Sequence, residues 1–207
     1  MTPEHVTSSG DVVALLSLEP GRVTGLVGSP GLGLTKLGLA LLASRTGLVA
    51  CLDVRGWLSP VAAWESGIDP DRLVIARCGD PVRWGRAAAT LLEGVDALYA
   101  EVPRGVKDPQ IRKLVALARA RDAPVVLRPV RGDLPPGLVH LRLEAREVIW
   151  EGTDSGHGRL GRRRIALEAS GKAVRGMTRR IEVEDDGTNA LRLVSGLATQ
   201  EIGRHAV

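Results

Sequence analysis

Aromatic residues are nearly absent from this chain. They make up 2% of its 207 residues, with one tyrosine and no phenylalanine. Leu, Val and Ala must therefore fill the core. The four tryptophans are Trp57, Trp64, Trp84 and Trp150, and none falls in the paired-aromatic pattern of an RNA-recognition sheet. Cysteine is equally scarce. Cys51 and Cys78 offer neither a disulfide framework nor metal-ligand spacing, and Cys51, inside an apolar run, reads as a buried thiol. No stretch approaches the roughly 20 apolar residues that span a bilayer. The first residues lack the charged-then-apolar order of a secretory leader. The expected location is the cytoplasm, without membrane contact.

What is present suits a globular domain: 44% hydrophobic and 25% charged residues, in a chain long enough for a substantial core. The net charge of +4 is unevenly spread. Between Arg159 and Arg180 there are eight Lys or Arg and one acid, Glu168; Glu182, Glu184, Asp185 and Asp186 then reverse the sign. Such a block favours polyanions or an acidic protein partner. The candidate carriers are Arg162, Arg163, Arg164, Arg179 and Arg180. A solvated strand pair on a basic protein accounts for the same pattern.

Hydrophobic periodicity gives the fold class. Apolar runs at 23–27, 49–54, 73–76, 97–100 and 124–127 read as buried strands, and the segments 34–45, 60–64, 81–92 and 111–121 read as helices between them. This alternation predicts an α/β fold with a mostly parallel sheet flanked by helices. After Pro129 the pattern alternates at period two, at 139–144 and 165–168, which predicts antiparallel strands added at the sheet edge. The expected organisation is a core over 1–150, a basic antiparallel extension of the same domain over 151–186, and a separate tail over 187–207. A Gly-rich connector is expected at 153–161. In the tail, Leu191, Val194, Leu197 and Ile202 fall at helical spacing, which predicts a short amphipathic helix able to dock on a partner.

The most informative motif is Gly28-Ser29-Pro30-Gly31-Leu32-Gly33-Leu34-Thr35, between a predicted strand and a predicted helix. It completes the phosphate-loop pattern G-x-x-x-x-G-K-[S/T] in every slot but one. The lysine that reaches the β- and γ-phosphates is replaced by Leu34. Thr35 stands where a hydroxyl would hold Mg²⁺. Lys36 is displaced by two positions, about 200° around a helix, and should point away from the loop. A Gly-rich turn kept for backbone geometry is the favoured reading over phosphate binding, so no cofactor and no metal are expected.

Three further segments carry a family resemblance. Cys51-Leu52-Asp53-Val54-Arg55 resembles the RecA segment that leads to its catalytic glutamate; Gly67-Ile68-Asp69-Pro70-Asp71-Arg72-Leu73 is similar to a RecA stretch of the form G-V-D-x-D-x-L; and Gly94-Val95-Asp96-Ala97-Leu98-Tyr99-Ala100-Glu101 looks like a Walker B strand. The resemblance implies a RecA-like core in which Arg55 replaces the glutamate that polarises water, and Glu101 replaces the Walker B aspartate. Arg128 and Pro129 lie near the position of the family's γ-phosphate-sensing glutamine. An arginine cannot serve as a general base, so hydrolysis should be negligible and no catalytic residue is assigned.

With its arginine-rich C-terminal extension, the chain resembles the ImuA family, in particular the actinobacterial ImuA-prime form. The stretches Gly158-Arg159-Leu160-Gly161-Arg162-Arg163-Arg164 and 111–121 carry that likeness. It implies a non-catalytic accessory role in damage-induced mutagenic translesion synthesis. The implied partners are an inactive Y-family polymerase homologue of the ImuB type and, indirectly, an error-prone C-family polymerase. Contact with RecA is also implied, and the arginine block makes DNA a candidate. Two alternatives stay open: a divergent RecA-type ATP-binding protein, and a cell-division inhibitor of the SulA type.

Overall fold

The computed structural model describes residues 15–152, 161–186, 191–195 and 198–202. Among them, ten strands form one sheet. In chain order the elements are β1 (Val23–Val27), α1 (Leu34–Ala43), β2 (Val49–Asp53), α2 (Pro60–Glu65), β3 (Leu73–Arg77), α3 (Pro81–Glu93), β4 (Ala97–Val102), α4 (Asp108–Ala120), β5 (Val125–Pro129), β6 (Leu141–Glu151), β7 (Arg162–Gly171), β8 (Arg179–Asp185), β9 (Leu191–Ser195) and β10 (Ala198–Ile202). The strand order is β10-β9-β8-β7-β6-β1-β5-β4-β2-β3.

Strands β1 to β5 pair in parallel. The run of β1, β5, β4 and β2 is buried along its whole length because helices cover both faces. On one face α1 and α2 pack with Leu26, Cys51, Tyr99 and Val126. On the other, α3 and α4 pack with Val27, Leu52, Leu98 and Leu127. Asp80 caps α3 by accepting the Val82 N–H at 2.8 Å, with Pro81 in the first turn where a missing N–H costs nothing.

The chain's single tyrosine sets the fit of α1. Tyr99 is fully buried under that helix, and a Cβ added to Gly38 would stand 2.4 Å from the tyrosine ring. Gly38 is thus the notch that lets α1 lie close to β4. Burial pushes the Tyr99 phenol up, and it does the same to the Cys51 thiol, to about 12, with the charges of Asp53 and Glu101 adding to the effect. Neither group ionises near neutral pH.

The antiparallel strands expected in the C-terminal third are present, with β6, β7 and β8 pairing in succession; the first of them, predicted at 139–144, also runs parallel to β1, which the alternation did not predict. Residues 130–140 carry the chain back across the sheet without a helix, and His140 N–H donates to the Val23 carbonyl at 2.8 Å where the parallel pairing begins. Period-two alternation reveals one solvated face but not strand direction. The tail, expected as a helix, instead forms β9 and β10, which pair antiparallel with each other and onto β8. Leu191 is fully buried there. Its apolar residues satisfy more than one period, and the free edge of β8 selects the strand. Of the tail residues singled out, Val194 lies in β9 and Ile202 in β10, while Leu197 is outside the described residues. So is most of the connector expected at 153–161.

Candidate functional site

The parallel strands β1, β2, β4 and β5 deliver the motif residues to one end of the sheet. There a cleft of about 410 Å³ opens beside the Gly-rich turn, bordered by Thr35, Arg55, Trp57, Glu101, Arg128 and Arg163 among others. The turn leaves β1 through Gly28 and enters α1 through Gly33, whose φ of 76° is left-handed and suits glycine. Leu34, in the lysine slot, borders the cleft but exposes almost none of its side chain. It is buried in the core with Leu26 and Leu37.

Glu101 is the centre of the cleft floor. It is the penultimate residue of β4 and is 2% exposed. One of its oxygens, Oε1, accepts from Arg55 Nε at 3.1 Å and from Arg55 Nη2, and lies 3.5 Å from Arg128 Nη1. The other, Oε2, accepts the Val54 N–H at 3.1 Å. Trp84, fully buried on α3, donates its indole N–H to the Glu101 carbonyl at 2.7 Å and ties the strand to the helix beneath. Two guanidinium groups therefore share one carboxylate. Burial pulls the Arg55 pKa down, but the hydrogen bond and charge of Glu101 more than offset this and hold it above the ordinary arginine value. Arg128 Nε is buried without a partner.

Asp53 builds the loop that presents Arg55. Its Oδ1 accepts the N–H of Gly56 at 2.9 Å and of Arg55 at 3.2 Å, and its Oδ2 accepts the N–H of Leu58 at 3.0 Å. These bonds turn the chain at the end of β2 so that the Arg55 side chain comes back over the sheet. Arg55 also lies 4.9 Å from the centroid of the Trp57 ring.

The far wall comes from the C-terminal third. Arg163 on β7 donates to Asp185 Oδ2 through Nε at 2.9 Å, with Nη2 at 2.7 Å, and lies 5.5 Å from the Trp150 ring centroid. Asp185 also accepts from Lys36 Nζ at 2.7 Å. Lys36 thus turns toward β8 while its side chain still borders the cleft.

The sequence grouped Arg162, Arg163 and Arg164, but strand alternation separates them. Arg163 joins the cleft. Arg162 and Arg164 share the opposite face of β7, each within 4.0 Å of both Glu151 and Glu184. Arg180 pairs with Glu182 at 3.5 Å. Arg179 and Arg180 sit at the start of β8, opposite Ala169 and Glu168, roughly 20 Å along the strand from Arg163. The reversal of charge sign after Arg180 is therefore in part a cross-strand ladder: Glu184 and Asp185 of β8 face Arg164 and Arg163 of β7, while Glu182 lies opposite Ala166. Asp53 and the Trp57 contact were missed from sequence, and the Asp53-x-Arg55-Gly56 turn chemistry was the available signal.

The model of the MT3502 N-terminal domain matches residues 11–132. The chain belongs to the MT3502 N-terminal domain family. The matched region of this MT3502-type domain holds the Gly-rich turn, Asp53, Arg55, Glu101 and Arg128, and ends before β6 and the Arg163 wall. No curated protein matches the chain. Among the described residues, no helix is long and apolar enough to cross a membrane, and no group of three or more His, Cys, Asp or Glu could hold a metal ion.

Proposed function

We propose that this protein is a non-catalytic accessory factor of a damage-induced mutagenic translesion synthesis complex, an ImuA-type scaffold on a RecA-like core. Its partners are an inactive Y-family polymerase homologue and, through it, an error-prone C-family polymerase. The observation that carries the non-catalytic part is the state of Glu101. Its carboxylate is buried and divided between Arg55 and Arg128. A Walker B carboxylate must instead be available to the metal that bridges the phosphates. Leu34 supports the same reading, because a buried aliphatic side chain in the lysine slot supplies no charge to a phosphoryl group. The role in translesion synthesis rests on the ImuA resemblance of the sequence.

One observation favours a second reading, a nucleotide-binding protein without the usual lysine. Arg55, Arg128, Arg163 and Lys36 all border the cleft beside the turn. A thermal-melt titration with Mg²⁺-ATP separates the two. The scaffold reading expects no shift in melting temperature at millimolar nucleotide. A saturable rise would favour the second. The cellular role is tested by co-purification from damaged cells: retention of the polymerase homologue supports it, and loss of damage-induced mutagenesis on deletion of the gene completes it. A chain that neither co-purifies with that homologue nor alters mutagenesis refutes it.

A further inference from the structure

In a chain with so few aromatic residues, three of the four tryptophans lie at the surface. Trp57 is 74% exposed, and Trp64 and Trp150 are each 45% exposed. Of the three, Trp57 lines the cleft and the other two sit on adjoining elements. Trp64 is on α2, whose Ala62 and Glu65 border the cleft. Trp150 lies against Arg163, which forms the far wall. Val61, half exposed, shares a helical stripe with Trp64 one turn apart. Exposed tryptophan beside arginine is the composition of a binding hot spot, and apolar patches of this kind mark interaction sites.

The charge around the cleft points to the partner's chemistry. Its border carries four cations, Lys36, Arg55, Arg128 and Arg163, against Glu65 and Glu101, with Asp185 paired to Lys36 and Arg163, so positive charge stays in excess by one. On the floor, Arg55 and Arg128 divide a single carboxylate, and the buried Nε of Arg128 has no partner. A carboxylate entering from outside would add an acceptor for Arg55, the more exposed of the two, and leave more of Glu101 to Arg128. The ring of Trp57 holds Arg55, and that of Trp150 holds Arg163, so both cations are positioned before anything binds.

We infer that the cleft, with the Trp57–Val61–Trp64 face beside it, is the docking surface for an acidic segment of a partner protein that carries apolar anchors. The anchors cover the tryptophans, and an acidic side chain enters toward Arg55 and Arg128. A protein segment fits better than single-stranded nucleic acid. Val61, half exposed within this face, offers an apolar contact and no plane for base stacking. The inference gives the accessory-factor reading a surface and rests on it only for the partner being a protein.

The test is selection of random dodecapeptides by display on the full chain, followed by fluorescence polarisation of one enriched, labelled peptide. The expected result is enrichment of acidic peptides with a large apolar residue. Affinity should fall roughly tenfold or more in Trp57→Ala and Trp64→Ala, and stay unchanged in Val82→Ala, whose exposed side chain lies on α3. Melting curves of the tryptophan variants should match the parent, because these side chains are at the surface. Failure to enrich any peptide, enrichment without acidic bias, or affinity indifferent to both tryptophans overturns the inference. So does an oligothymidylate that binds through the same two residues. Failure here is distinct from failure of the accessory role: a polymerase homologue retained equally by parent and Trp57→Ala chains keeps the role and moves the interface elsewhere.

Discussion

Arg163 of β7 lies against Gly33 at the start of α1: a Cβ added to Gly33 would stand 3.2 Å from the Arg163 Cζ and 2.7 Å from the Ile165 Cδ1. The C-terminal third of the chain therefore closes over the Gly-rich turn, and a side chain at position 33 would have to displace the ends of Ile165 and Arg163. Gly33→Ala should cost about 2–3 kcal/mol, from the left-handed φ and from displacement of Ile165. Gly31 is the control. Its φ of 90° is also unfavourable for alanine, but nothing lies within 4 Å of the added Cβ. Gly31→Ala should therefore cost only the backbone part, about 1–2 kcal/mol. Urea midpoints of the two variants measure the difference, and equal losses would mean that β7 does not press on the turn.

Glu101 gives a prediction with opposite signs for two roles. A carboxylate kept for catalysis often stabilises the protein when it is removed, because function was held at the expense of stability. Glu101 instead neutralises Arg55 and Arg128 in a buried setting. Glu101→Gln leaves the Arg128 guanidinium buried without a counter-charge, and the expected loss is about 3 kcal/mol or more. Denaturant unfolding of parent and variant decides it. A variant as stable as the parent would show that the arginines do not depend on this carboxylate.

Much of the core was legible in the sequence. Strands β1, β2, β4 and β5 are continuous apolar runs bounded by Gly, Pro or Asp, and the helical segments between them force parallel pairing. The direction of β6 was not legible. It depends on where residues 130–140 lead the chain, and Leu134 and Leu138 anchor that crossover through contacts far away in sequence. A Cβ on Gly25 of β1 would stand 2.7 Å from Leu134 Cδ1, a tertiary fit that no local pattern encodes. In the site, the replaced lysine and the unusual Arg55 could be read directly, whereas the Lys36–Asp185 contact joins residues 149 positions apart. The charge reversal after Arg180 did hold the signal for the β7–β8 ladder, since complementary runs on successive strands of a hairpin face each other.

A third prediction concerns pH. Burial raises the Asp133 carboxyl, but its hydrogen bonds to Arg142 and the Leu134 N–H, with the charge of Arg142, outweigh this and hold it below the usual carboxylate range. The contribution of Asp133 is thus present at pH values above its unfolded pKa and is lost as pH falls through the lower folded value. Asp133 is largely solvated, so the effect is small, below about 1 kcal/mol. Asp133→Asn should be slightly less stable than the parent at neutral pH, and the two should converge as acidification passes below the ordinary carboxylate range. Stability measured across that range checks it; a gap that widens on acidification contradicts the assignment.

The last prediction concerns the tail. A separable docking helix could be removed without consequence for the core. A pair of strands cannot, because β9 pairs with β8 from Glu182 to Asp185, and Leu191 is fully buried beside it. Removing residues 187–207 exposes the buried surface around Leu191 and Val183 and leaves β8 as an unpaired edge. Loss of the Leu191 contact alone is worth about 1.5–3 kcal/mol, and the lost ladder bonds add to it. The truncated chain should melt at a lower temperature and associate through the new edge, with a sedimentation profile that shifts with concentration. Asp185 gives the loss a route to the cleft: it lies in the same paired stretch of β8 and holds both Lys36 and Arg163. Failure of the truncated chain to bind a partner would then reflect a loosened cleft wall as well as missing contacts, and Leu191→Ala in the full chain separates the two, since it weakens the packing while keeping every other tail residue.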